Sequence, residues 1–187
     1  MPVTPMPAIV MATKSRKHES DCCFSCFRVF VAALVVGPML CSQAYAQGVV
    51  LQRNISLAMA KTIAEATLAE CKAKGFNTSA VVVDRAGQVL VMLRDEQASA
   101  QTAEMARRKA YTARMFRTNT LDFQKRTASD PTLAPQRDVA DILALGGGVP
   151  ITVGNETIGA VGSSGSSQEQ DDACAKAGVA RVADLLK

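Results

Sequence analysis

The sequence predicts an α+β domain built on a single antiparallel sheet flanked by alanine-rich helices. Three observations carry this expectation. Two pairs of short β-branched runs are each joined by a glycine-bearing turn, so each pair reads as an antiparallel hairpin. Three further segments place apolar or alanine residues at spacings of three and four, the period of a helix with one buried face. Their order is helix, hairpin, helix, irregular segment, hairpin, helix, without the strand and helix alternation that builds a parallel sheet.

The first 46 residues read as a secretory leader and are set apart from the fold. Arg28 precedes an apolar run over 29–36, and Ala44-Tyr45-Ala46 supplies a small-x-small cleavage signal. The run is broken by Gly37-Pro38 and is shorter than the roughly 20 apolar residues a membrane span needs. The expectation is a periplasmic or secreted protein that begins at Gln47 and has no membrane contact once the leader is removed. Residues 47–187 are enough for one domain with a real core. Of the chain's 21 basic and 17 acidic residues, four and two lie in the leader. The remainder is close to charge balance, which gives no basis for nucleic-acid binding.

In chain order, Ser56 is placed to cap a helix that runs to about Lys74 and stops at Gly75, with Leu57, Ala60, Ile63, Ala64, Thr67, Leu68 and Cys71 on one side. Ala80-Val81-Val82-Val83-Asp84 and residues 88–93 flank Arg85-Ala86-Gly87 as the first hairpin. A second helix is predicted over 97–117, its alanine stripe of Ala103, Ala106, Ala110 and Ala113 suited to close packing on a sheet. Glu104, Arg107, Arg108, Lys109, Tyr111, Arg114 and Arg117 fall on its other faces, where charges are expected to be solvated. Residues 118–145 contain Pro131 and Pro135 and allow short helices over 121–125 and 136–143. Gly146-Gly147-Gly148-Val149-Pro150-Ile151 and Ile158-Gly159-Ala160-Val161-Gly162 form the second hairpin about Gly154-Asn155. Ser167, with Gln170 three residues on, has capping-box spacing and opens a closing helix to about Leu186.

Cysteine and histidine usage narrows the chemistry. Cys22, Cys23, Cys26 and Cys41 leave with the leader, so only Cys71 and Cys174 remain, each on a predicted helix. They either pair in an oxidising compartment or stand as two small buried thiols, the reading favoured by how often free cysteine is buried. The one histidine, His18, also lies in the leader. That excludes a Ser-His-Asp triad, an imidazole zinc site and histidine ligation of haem from the remaining chain; no metal site is expected.

The sequence resembles the GlcG/HbpS family across nearly all of 57–186. The resemblance rests on the ordered set of the helix ending at Gly75, Val81-Val82-Val83-Asp84 with Gly87, Lys109-Ala110-Tyr111-Thr112-Ala113 with Phe116, the Gly146 to Ile151 run, and Ile158 to Gly162 followed by Ser164-Gly165 and Asp171 or Asp172. It implies a profilin-like α+β fold, commonly assembled into homo-oligomers. Some members bind haem, including secreted ones that act as accessory partners of a sensor kinase, and others sit beside glycolate-use or corrinoid genes with no settled activity.

A haem site needs an apolar slot, partners for the propionates and an axial ligand. Without histidine the candidate ligands are Tyr111, Met59, Met92, Met105, Met115, Cys71 and Cys174, with Tyr111 foremost because it is the sole tyrosine after Tyr45. Arg108 and Arg114 lie within a turn of it for propionate pairing. Thr112, in the family's helix motif, is a further haem contact implied by the resemblance. The leading expectation is an exported carrier or sensor accessory without catalytic activity that binds haem or a related small ligand. The alternative is an enzyme of small hydroxy-acid or corrinoid-linked metabolism, in which Asp171, Asp172 or Glu169 faces Asp84 across the sheet end as general base. A structural interaction module is the third reading. Nucleotide binding is rejected, because no P-loop lysine follows the glycine-rich loop and acids crowd the helix start.

Overall fold

The structure, a computed structural model, describes Gly48 and residues 50–187. The leader assigned to residues 1–46 lies outside the described residues. The fold is α+β, with four helices and one four-stranded antiparallel sheet. Helix α1 spans Leu57–Ala73, strands β1 and β2 span Ser79–Val83 and Val89–Arg94, and helix α2 spans Gln101–Phe116. Helix α3 (Thr120–Ser129), strands β3 (Gly148–Val153) and β4 (Glu156–Ser164) and helix α4 (Gln168–Ala180) complete it.

The strands lie in the order β2-β1-β4-β3 with every neighbouring pair antiparallel. The two hairpins therefore meet along β1 and β4, where Ser79 pairs with Ser164 and Val83 with Ala160. Both central strands are buried along nearly their whole length, which follows from cover on both faces. Helices α1 and α4 pack side by side on one face, with Ile63, Ala64, Val82, Ile151, Val161 and Ala175 in the core between. Helix α2 covers the other, setting Ala106, Ala110 and Ala113 against Val81, Val83 and Ala160. Alternate residues of one strand thus enter different cores, as the two-residue period of a strand requires.

The predicted ends of α1 hold: the Ser56 side chain accepts from Met59 N, and Gly75 follows the cap with φ +83°. Ser167 likewise accepts from Gln170 N. The Gln170 side chain does not close the capping box, because it turns to the Cys174 sulfur instead. Helix α2 begins at Gln101 rather than 97, since the Asp95 side chain accepts from Gln97 N and the Asp95 carbonyl from Ala98 N, forming a turn that delays the helix. The closing helix ends at Ala180 and continues only as a short 3-10 turn, Ala183–Leu185.

The irregular segment departs further. Helix α3 runs longer than expected, and the second predicted helix is a 3-10 turn over Ala134–Asp138. Residues 139–143 are not helical because α2 takes their backbone groups: Arg108 Nη2 donates to Ile142 O, and Leu143 N donates to Thr112 Oγ1.

The expectation of two free buried thiols is corrected. Cys71 and Cys174 form a disulfide, with Cα atoms 5.6 Å apart. Both residues are fully buried, so the burial tendency was right, but it does not say that α1 and α4 lie against one another.

The glycines of the second hairpin and its loop serve close packing. A Cβ on Gly162 would strike the Ala106 carbonyl, and one on Gly147 would lie 2.6 Å from Ser163 O. Strand β4 and helix α2 approach to backbone contact because Gly162 has no side chain. Gly162→Ala is expected to destabilise the protein by about 1–3 kcal/mol through overpacking, read as a lower urea midpoint with unchanged slope; an unchanged midpoint would contradict the close approach.

Candidate functional site

Helix α2 carries the residues singled out from the sequence, and the fold divides them among three places. Tyr111 and Met115 lie over the β1–β2 turn, where both side chains press on Gly87. That glycine, at φ +81°, leaves room for them by lacking a Cβ. Beside them Arg114 lines a hollow of ≈ 310 Å³ with Arg85 and Ala86, the first two residues of the same turn. An adjoining hollow of ≈ 430 Å³ is lined by Arg53, Arg85, Arg114 and Arg117 together with the β3–β4 turn.

Four arginines share that hollow with one acid, Glu156, which pairs with Arg85. Arg114 Nε is buried without a hydrogen-bond partner. Burial, then the nearby charges of Arg85 and Arg117, hold the Arg114 guanidinium below its ordinary pKa, with Asp84 opposing. Positive charge is concentrated there beyond what the protein itself compensates, which is the condition that favours a bound carboxylate or phosphate.

The other α2 candidates lie elsewhere. Thr112 is buried and its hydroxyl is already used, donating to Arg108 O and accepting from Leu143 N. Arg108 holds the Ile142 carbonyl. These two fasten the 139–143 segment to α2. Met105 is about two and a half turns of helix N-terminal to Arg114 and lines a separate cleft of ≈ 330 Å³. The six residues expected at one cofactor site therefore do not form one constellation; Tyr111 and Met115 pack on Gly87, and Arg114 lines the hollows beside the same turn.

The paired-acid arrangement does not form. Asp84 follows the end of β1 that pairs with Ala160, whereas Asp171 lies beyond the opposite end, where Ser79 pairs with Ser164. The length of β1, about 17 Å at strand rise, separates them. Asp84 accepts from Ala86 N and Gln88 N and shapes the turn. Asp171 accepts from Lys109 Nζ at 2.8 Å and from Ser166 N and Oγ. Asp172 pairs with Lys176 at 2.6 Å, and Glu169 is exposed. Among the described residues, Asp84 therefore does not face Asp171 across the sheet end.

Lys109 is the residue that the sequence reading misplaced. It was expected on a solvated face, yet it is 2 % exposed, with Nζ donating to Asp171 and, at 3.0 Å, to Ser163 O. A signal was present in the sequence: Lys109 is three residues after Ala106 and one before Ala110, on the alanine stripe itself. Burial pushes its ammonium below the ordinary lysine value, with the charge and hydrogen bond of Asp171 opposing.

A two-hairpin antiparallel sheet with paired helices on one face and an alanine-striped helix on the other defines a class of compact α+β folds. Within it, residues 55–180 match the family model described as haem degrading protein HbpS-like, and the chain belongs to the HbpS-like family. An uncharacterised 15.0 kDa protein of Citrobacter freundii, from the dhaT-dhaS intergenic region, is 35% identical over 122 residues, covering 63% of this chain and 84% of that protein. Among solved structures, HbpS is 33% identical with a TM-score of 0.69, covering 73% of this chain and 96% of its own. PduOC, solved as a complex with haem, shares the fold at 24% identity and a TM-score of 0.61, covering 68% of this chain and 94% of that one.

Proposed function

We propose that the protein is an exported haem-binding carrier or sensor accessory, and that haem is held at the β1–β2 turn by Tyr111, Met115, Arg85 and Arg114. The observation that carries this reading is an aromatic and a thioether side chain packed on Gly87, with Arg85 and Arg114 lining a hollow at the same turn. Haem is a flat apolar ring with two carboxylates, and it asks for that pairing of surfaces. The donor set fits the group. The Tyr111 hydroxyl makes no hydrogen bond among the described residues, tyrosine is an established type of axial ligand, and the orphaned Arg114 Nε suits a propionate. When bound, the iron supplies the ligand-exchange or redox chemistry. The protein's own part is to orient the ring on Tyr111 and Met115 and to neutralise its carboxylates.

The family description and the haem complex of PduOC support haem as the ligand class. Export is supported by the leader and by the Cys71–Cys174 bond, since disulfides persist in oxidising compartments. Self-assembly, and a sensor kinase as partner, follow from the resemblance. The half-exposed edge strand β2, with Val89 and Met92 at 41% and 44% exposure, offers an edge for assembly.

Hemin titrated into the purified protein should give a saturable Soret change. Arg114→Gln is expected to weaken it about tenfold or more through loss of a charge-assisted hydrogen bond, and Tyr111→Phe to move the band position. Absence of saturation, or a Tyr111→Phe spectrum identical to the parent's, sinks the assignment.

A further inference from the structure

We propose a second ligand site at the other end of α2, in the cleft of ≈ 330 Å³ lined by Met105, Lys109, Leu145, Ser164, Gln168 and Asp171, taking a small uncharged hydroxylated or hydroxycarbonyl molecule. The site is independent of the haem reading, sharing no lining residue with the arginine hollows.

The wall is built and not incidental. Lys109 and Asp171 each have side chains 2 % exposed and are paired at 2.8 Å. Lysine carries three donors, and Lys109 uses two of them, on Asp171 and Ser163 O; the third N–H has no protein acceptor among the described residues. Ser164, 2 % exposed at the end of β4, also lines the cleft, and its hydroxyl makes no hydrogen bond among the described residues. That hydroxyl is free to donate to or accept from a ligand in the cleft. Gln168 spends its oxygen on Gly146 N and keeps its amide donors, while Met105 and Leu145 supply apolar surface.

The charge of the site selects the ligand class. Among the described residues, Lys109 and Asp171 are the only charged ones lining the cleft, and they cancel. An anion attracted to the ammonium would meet the Asp171 carboxylate, and a cation would meet Lys109, each without a counter-ion of its own. An uncharged molecule with both a donor and an acceptor satisfies the lysine N–H, the Ser164 hydroxyl and the Gln168 amide without that penalty. The cleft is at the small end of ligand pockets, which suits a ligand of a few carbons. Gly147 and Gly165 extend the reasoning to the backbone, because a Cβ on Gly147 would lie 3.1 Å from Lys109 Nζ and the loop at Gly165 forms part of the wall.

Amide chemical shifts of the purified protein, followed on titration with erythritol and with hydroxyacetone, test this. Saturable shifts at Ser164, Ser166 and Gln168 with either probe, and none with succinate or putrescine, are the expected result. Ser164→Ala removes no internal hydrogen bond, so it should fold normally and bind about tenfold more weakly, whereas Ser164→Val, which fills the cleft and suits a strand, should abolish binding. Failure of both neutral probes to saturate, tighter binding of succinate or putrescine, or full affinity in Ser164→Val overturns the proposal. Arg114→Gln should leave these titrations unchanged, so the outcome is separate from that of the hemin experiment.

Discussion

Loss of the Cys71–Cys174 bond should lower stability by about 4.7 kcal/mol, the chain-entropy value for a closed loop of roughly a hundred residues. The bond joins positions 103 residues apart, so it closes nearly all of the domain into one loop and restricts the unfolded ensemble more than a short bridge would. It also fastens α1 to α4, the two helices that together cover one sheet face. Cys71→Ser, Cys174→Ser and the double substitution should all fall by a similar amount, because either single change removes the same bond and the effects cannot add. Urea melts of the oxidised protein and the three variants read this directly. A loss under about 1 kcal/mol, or additive losses, would falsify the assignment of the bond as the main cross-link of the fold. Transfer to reducing conditions should reproduce the variants' midpoint, which ties the disulfide to the proposed export.

Lys109→Met is the second large effect, expected at about 3–5 kcal/mol, the range for breaking a buried ion pair by removing one partner. Asp171 would stay buried at 1 % exposure, with only Ser166 N and Oγ to accept from, and the Ser163 carbonyl would lose a donor. The methylene stem of the side chain is retained in methionine, so packing loss is small and the charge is what is measured. Asp171→Leu alone should cost a similar amount by stranding the ammonium. The double variant Lys109→Met/Asp171→Leu should recover much of either loss, since replacing both charges by apolar groups removes the desolvation cost of each. Thermal or urea unfolding of the cycle checks it. Equal and additive losses would mean that the two residues do not act as a pair.

The two effects illustrate what was legible and what was not. Both hairpins, the caps at Ser56 and Ser167 and the three main helices could be read because they are local: a turn glycine, a capping hydroxyl and a repeating apolar face all act within a few residues. Where the short helix allowed over 136–143 would end could not be read, because the backbone groups of Ile142 and Leu143 are taken by Arg108 and Thr112, more than thirty positions away. Lys109 was misplaced because lysine is rarely buried unless paired, and its partner comes from another helix 62 residues on. Its position on the alanine stripe was the one local sign. The proposed juxtaposition of Asp84 with Asp171 failed for a related reason: adjacency to a strand end says nothing about which end until the register of β1 on β4 is known.

For this protein the sequence by itself determined the α+β class, the antiparallel hairpins and the membership in a family, all of which rest on short-range periodicity and ordered motifs. The glycine-rich run at 146–165 was legible as part of that signature. Only the tertiary structure decided that its glycines serve backbone contact, that Cys71 meets Cys174, that Arg85 and Arg114 line one hollow at the β1–β2 turn, and that Lys109 is sealed against Asp171. Those four depend on how α2 and the α1–α4 pair sit on the sheet, a consequence of packing between distant segments that no local pattern encodes.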